Sequence, residues 1–236
     1  MSDFQNTIDL LGDEAVAKSI VERTIQVYDD DYIKSIGSYG FYNCLELSSI
    51  KLPLVTNIGF YAFYLCNSLT SINFPLVTSI GDYAFFSCAA LTSINFPLVT
   101  SIGRNAFSSC SKLSSVNIPS VTSIGRNVFY GCRALQSINF PLVTSIGDYA
   151  FDSCSKLSSV NIPTVANIGD GAFYYCTALQ SIHLPSTPPK LTTTNAFYNV
   201  PTTCVFYIPT GSLSAYQSAT NWSSLTSQYT FTEEDR

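Results

Sequence analysis

Seven cysteines stand 22 residues apart: Cys44, Cys66, Cys88, Cys110, Cys132, Cys154 and Cys176, with only Cys204 out of step. Three more columns keep the same period. They are the phenylalanines from Phe41 to Phe173, the glycines from Gly37 to Gly169 and the prolines from Pro53 to Pro185. The segment SINFPLVTSIGDYAF recurs unchanged at 71–85 and 137–151. A fixed period of this kind marks a tandem array, in which each unit contacts only its neighbours. The chain is therefore read as about seven 22-residue units with irregular ends.

One unit runs from Leu69 to Cys88. Ser71-Ile72-Asn73-Phe74 alternates polar and apolar, the period of a short strand with Ile72 and Phe74 inward. Pro75 has no amide donor and ends it. Val77 and Ile80 offer two further inward side chains. Gly81 marks a sharp turn where a Cβ clashes or φ is positive. The stretch 82–88 is too short for a lone helix and suits one helical turn, with Ala84, Phe85 and Cys88 on its inner face. No single unit encloses this apolar set. Burial at about 1.5–3 kcal/mol per large side chain requires stacked neighbours. The expected fold is an α/β solenoid, with a parallel sheet on one face and short helical turns on the other. At a strand spacing of about 4.8 Å, seven units reach roughly 35 Å.

The pattern LxxIxF-P-xVxxIGxxAFxxC, over roughly 25–210, resembles the BspA-like, or Treponema-type, leucine-rich repeat family. That family's usual unit, LxxIxLPxxLxxIGxxAFxxC, has 23 residues, and here the path after Pro75 is one shorter. The resemblance implies a curved leucine-rich solenoid. It also implies a bacterial or protist surface protein that binds host or matrix components, although many members, some phage-borne, have no assigned role.

The ends read as caps: 1–31 at the N-terminus, 32–185 as the array and 186–236 at the C-terminus. Residues 12–23 look helical, with Asp13 as cap, and Ile25-Gln26-Val27 reads as a degenerate first strand. Pro188-Pro189 breaks the period. Residues 204–209 read as the final strand, and Ser212 to Trp222 as one capping helix with Ser212 as N-cap and Leu213 and Tyr216 inward. Glu233 to Arg236 reads as frayed. The first residues carry no basic stretch, apolar run and small-residue site of a secretory signal.

Net charge is −5, placed as −6 over 1–31, +2 over 32–185 and −1 over 186–236. Such a balance argues against nucleic acid, which needs clustered Lys and Arg. No run reaches the roughly 18 apolar residues of a membrane helix, so no membrane insertion is expected. The enzyme case is poor. The single histidine, His183, falls in an outward strand column and reads as solvated surface. No GxSxG, Walker loop, HExxH or CxxC occurs. The cysteines are too widely spaced for a metal site and read as buried free thiols. Asp29-Asp30-Asp31 lacks the spacing of a calcium loop. No catalytic, cofactor or metal residue is assigned.

Two surfaces remain as candidates for a protein or glycan partner. On the outer sheet, Asn73, Asn95, Asn117, Asn139 and Asn161 form a column, read either as a stabilising amide ladder or as a binding face. On the turn side, Tyr61, Tyr83 and Tyr149 share one column and Tyr64, Phe86, Tyr130 and Tyr174 another, read as contact area or as half-buried packing. Asp82–Arg104 and Arg126–Asp148 are neighbours across layers. The leading expectation is a non-enzymatic recognition or adhesion module. The alternative is a structural or assembly component, for example of a phage particle. The resemblance places the chain at a cell or particle surface.

Overall fold

The structure, a computed structural model, describes residues 33–235; the expected N-terminal helix, the first strand at 25–27 and the Asp29–Asp31 turn lie outside them. Each unit is one coil of a parallel solenoid, and each coil contributes two short strands rather than one. The first series is β2 (Ser49–Lys51), β4 (Ser71–Asn73), β6 (Ser93–Asn95), β8 (Ser115–Asn117), β10 (Ser137–Asn139), β12 (Ser159–Asn161) and β14 (Ser181–His183). The second series has two-residue strands: β1 (Ser35–Ile36), β3 (Asn57–Ile58), β5 (Ser79–Ile80), β7 (Ser101–Ile102), β9 (Ser123–Ile124), β11 (Ser145–Ile146), β13 (Asn167–Ile168) and β15 (Lys190–Leu191). Pairing is parallel in both and shifted by one repeat, as in Ile50 against Ile72 and Ile58 against Ile80. The irregular end absorbs its extra residues at β13–β15 and at β14 with β16 (Val205–Pro209).

The third side holds tight turns where helical turns were expected. Its amides alternate. Tyr83, Phe85 and Ser87 donate forward to the carbonyls of Arg104, Ala106 and Ser108 in the next coil, at 2.8–2.9 Å. Ala84, Phe86 and Cys88 donate back three residues within their own coil, at 3.1–3.3 Å. Forward bonding turns carbonyls along the solenoid axis and requires left-handed backbone at Tyr83 (φ 57°) and Ser87 (φ 58°), a region L-residues rarely hold without such support. A helix cannot bond this way, so the backbone chooses the ladder. The glycine corner is explained by close approach: a Cβ on Gly81 would stand 2.6 Å from the backbone nitrogen of Phe60.

Inside, identical residues stack. Phe41, Phe63, Phe85, Phe107, Phe129, Phe151, Phe173 and Phe197 form one column of near-parallel rings, with centroids 5.0–5.7 Å apart. The cysteines line a second column. Each thiol from Cys66 to Cys176 donates to the phenylalanine carbonyl 25 residues earlier, at 3.0–3.2 Å.

The C-terminal cap differs from the sequence expectation in three places. The single helix is two, α1 (Leu213–Ser218) and α2 (Trp222–Gln228), broken at Asn221, whose φ is 68°. Ser212 makes no side-chain cap; the Glu233 carboxylate accepts the Leu213 amide instead, at 2.9 Å. Glu233 and Glu234, expected to fray, instead end a further parallel strand, β17 (Thr230–Glu234), beside β16. The cap also satisfies the last coil's open carbonyls. Tyr216 donates to Pro185 at 2.8 Å, Trp222 Nε1 to Pro189 at 2.6 Å and Asn221 Nδ2 to Leu191 at 3.1 Å. Unpaired backbone carbonyls at a buried end are costly, and long aromatic side chains with one polar tip reach them while filling space.

Candidate recognition surface

The turn side carries two outward columns, the first of them on the left-handed positions Tyr39, Tyr61 and Tyr83. At the N-terminal end both columns are aromatic. Tyr39, Tyr61 and Tyr83 stack with centroids 5.2 and 4.9 Å apart and planes within 7°. Beside them Tyr42, Tyr64 and Phe86 stack at 5.1 and 5.0 Å. Tilted contacts of 5.3–5.8 Å tie the two columns into one ridge. The next coil ends it, since Asn105 and Ser108 take these places and are buried. Burial first, and then the neighbouring Tyr83 and Tyr39, push the Tyr61 phenol above its ordinary value.

A shallow open groove of about 640 Å³ runs along the ridge where the second sheet meets the turns. Asn57 and Ser79 form its sheet wall and are hydrogen-bonded to each other. Tyr61 and Tyr83 form the other wall, and Phe60, Asp82 and Arg104 project from the corner between them. Arg104 Nε meets Asp82 Oδ2 at 3.0 Å, and the Arg104 amide donates to Asp82 Oδ1 at 2.9 Å. Gly59 and Gly81 also line it, at the corner where the coils approach most closely.

The predicted aromatic residues divide three ways. Tyr61, Tyr64, Tyr83 and Phe86 meet in the ridge. Tyr130 stands apart and exposed. Tyr149 donates to Asp170 Oδ2 at 3.0 Å, and this bond is the main reason its phenol is raised. Arg126 lies 5.9 Å over the Tyr149 ring, and no ion pair with Asp148 is present among the described residues. Tyr174 belongs to a small C-terminal cluster with Tyr175 and Tyr198. Tyr39, Tyr42 and Phe60 had not been singled out. Tyr39 and Tyr42 were legible by subtracting one period from Tyr61 and Tyr64. Phe60 was hidden because its column otherwise reads as charged or polar.

The asparagines lie on a different side, on the first sheet. Asn117 donates to Asn95 and Asn161 to Asn139, both at 2.7 Å, so part of the column is an amide ladder. His183 ends that column. Its ring stacks on Tyr207 at 4.7 Å and its Nδ1 lies 2.9 Å from Glu234 Oε1, so it pins the last strand.

The family model of the BspA type leucine rich repeat region matches in six copies, over residues 3–113, 34–156 and 144–233. Among solved structures, the pneumococcal vaccine antigen PcpA is 18% identical and superposes with a TM-score of 0.58, over 86% of this chain and 60% of that one. A leucine rich cell surface protein from Faecalibacterium prausnitzii is 29% identical over 65% of this chain and 52% of that one, with a TM-score of 0.49. A leucine rich repeat protein from T. pallidum is 26% identical over 72% of each chain, with a TM-score of 0.47. The chain thus spans 60% and 52% of the lengths of the first two. No curated protein matches.

Proposed function

The chain belongs to the BspA-type leucine-rich repeat family, and from that premise we propose that it is a non-catalytic recognition module contacting a protein or glycan partner through its N-terminal aromatic ridge. The observation that carries this reading is the gathering of Tyr39, Tyr42, Tyr61, Tyr64, Tyr83 and Phe86 onto three consecutive coils of one side. Rings held against each other have lost their freedom before a partner arrives. Contact area and phenol hydroxyls are then presented at little further entropic cost. Aromatic anchors of this kind carry a large share of binding energy at interfaces.

The groups with chemical reactivity are committed elsewhere. The six thiols from Cys66 to Cys176 are buried, hydrogen-bonded and raised in pKa, the reverse of a nucleophilic cysteine. His183 is held between Tyr207 and Glu234. Among the described residues no helix is long and apolar enough to cross a membrane. A setting at a cell or particle surface is the one the family resemblance favours.

The test is a binding screen of the full chain against arrayed extracellular-matrix proteins and glycans, repeated with Tyr61→Ser/Tyr64→Ser/Tyr83→Ser. These rings lie outside the core, so the variant keeps the native circular dichroism spectrum. Binding by the parent and its loss in the variant is the expected result. Undiminished binding by the variant contradicts the ridge. Tyr130→Ser, on a lone exposed ring, leaves binding unchanged.

A further inference from the structure

The groove beside the ridge offers something the ridge does not. Ladder tyrosines lie face to face, so each ring covers its neighbour's face and shows edges and hydroxyls to solvent. Phe60 is turned across the stack, at 79° to Tyr39 and 81° to Tyr61. It is 46% exposed, and among the described residues no ring stacks on it face to face. Its neighbours one coil away are Ser38 and Asp82, both too small to cover an aromatic ring.

Beside this open ring stands a positioned set of polar groups. The Arg104 amide fixes the Asp82 carboxylate, and the carboxylate fixes the guanidinium through Nε. The Arg104 side chain remains 65% exposed, with its other nitrogens as donors. Asn57 and Ser79 supply an amide and a hydroxyl from the opposite wall. The one carboxylate and the one guanidinium of the lining cancel in charge.

We infer that this groove binds a neutral saccharide, one pyranose laid on Phe60 with its hydroxyls bonded by Arg104, Asp82 and Asn57. This rests on the recognition reading above and names its ligand class. The C–H face of a pyranose is weakly positive and matches the negative face of an aromatic ring. Each sugar hydroxyl both donates and accepts, which a carboxylate, a guanidinium and an amide together satisfy. A shallow, open groove suits a ligand that keeps one side in water, unlike an apolar ligand that needs enclosure. An anionic sugar finds its guanidinium already paired.

Titration calorimetry of the full chain tests this, with tetrasaccharides of glucose, mannose, galactose and N-acetylglucosamine and a sialylated tetrasaccharide as the anionic arm. At least one neutral saccharide binds, with an affinity little changed by salt. Phe60→Ala and Arg104→Gln each weaken it about tenfold or more, while Tyr130→Ser leaves it unchanged. Thermal melts confirm that these surface variants fold. Preference for the sialylated probe, indifference to Phe60→Ala, or no neutral binding at millimolar concentration each overturns the inference. If a matrix protein binds the ridge and no saccharide binds, this inference fails and the recognition reading stands. If a saccharide binds through Phe60 and the ridge variant loses nothing, the inference stands and the ridge fails.

Discussion

A single cysteine shows how the interior is held. Cys110 is fully buried and donates to the carbonyl of Phe85 at 3.1 Å, a bond that alanine or valine in its place cannot make. The thiol thus packs as a small hydrophobe while serving a backbone acceptor in the neighbouring coil. Burial pushes Cys110 and Cys204 up to about 12 from an ordinary value of 9.0, and lifts Cys88, Cys132 and Cys176 well above it. The folded chain therefore keeps protons that the unfolded chain releases. The resulting stability is complete below about pH 9 and is lost as pH climbs toward about 12. The urea midpoint is expected to hold level from about pH 6 to 8 and to fall steadily above about pH 9. A midpoint that stays level to about pH 11 contradicts a buried thiol column. That the cysteines are buried was legible from their period. Their acceptor was not, because it lies 25 residues away, in a neighbouring coil.

At the scale of the element, the glycine corner separates positions that the sequence makes look equivalent. A Cβ on Gly103 would stand 2.3 Å from the Asp82 nitrogen, while one on Gly125 would meet nothing nearer than 3.7 Å. Gly103→Ala forces the coils apart and is expected to cost about 2–4 kcal/mol. Gly125→Ala is neutral or stabilises by about 0.4–1 kcal/mol, since it restricts the unfolded chain. Chemical denaturation of the two variants measures this, and equal costs contradict the close approach at Gly103. The first strand was readable because Ser71-Ile72-Asn73-Phe74 alternates over four residues. Ser79-Ile80 is too short to show alternation, so Val77 and Ile80 read only as inward positions. The turn side read as helical because Ala84, Phe85 and Cys88 fit a helix face as well. The forward bonds that decide otherwise join one coil to the next, and no single repeat displays them. The C-terminal cap was misread for the same reason, since Glu233 and Glu234 act on α1 and on His183 across the fold.

For the whole molecule, the period gave the stacked architecture, while the candidate site came from where the period is decorated unevenly. The aromatic columns are interrupted at Asn105 and Ser108, and Phe60 stands in a column of otherwise polar residues. The array supplies rigidity, and departures from it supply identity. The central claim is that the described coils shield one another's apolar sides. Reaction of thiols with an aromatic disulfide reagent, without reductant, tests it most directly. Seven cysteines, from Cys66 to Cys204, have no exposed surface, and Cys44 has 8%. The native protein is therefore predicted to show at most one reactive thiol, and the unfolded chain all eight. Several thiols reacting in the native state, or six or fewer after unfolding, would contradict it.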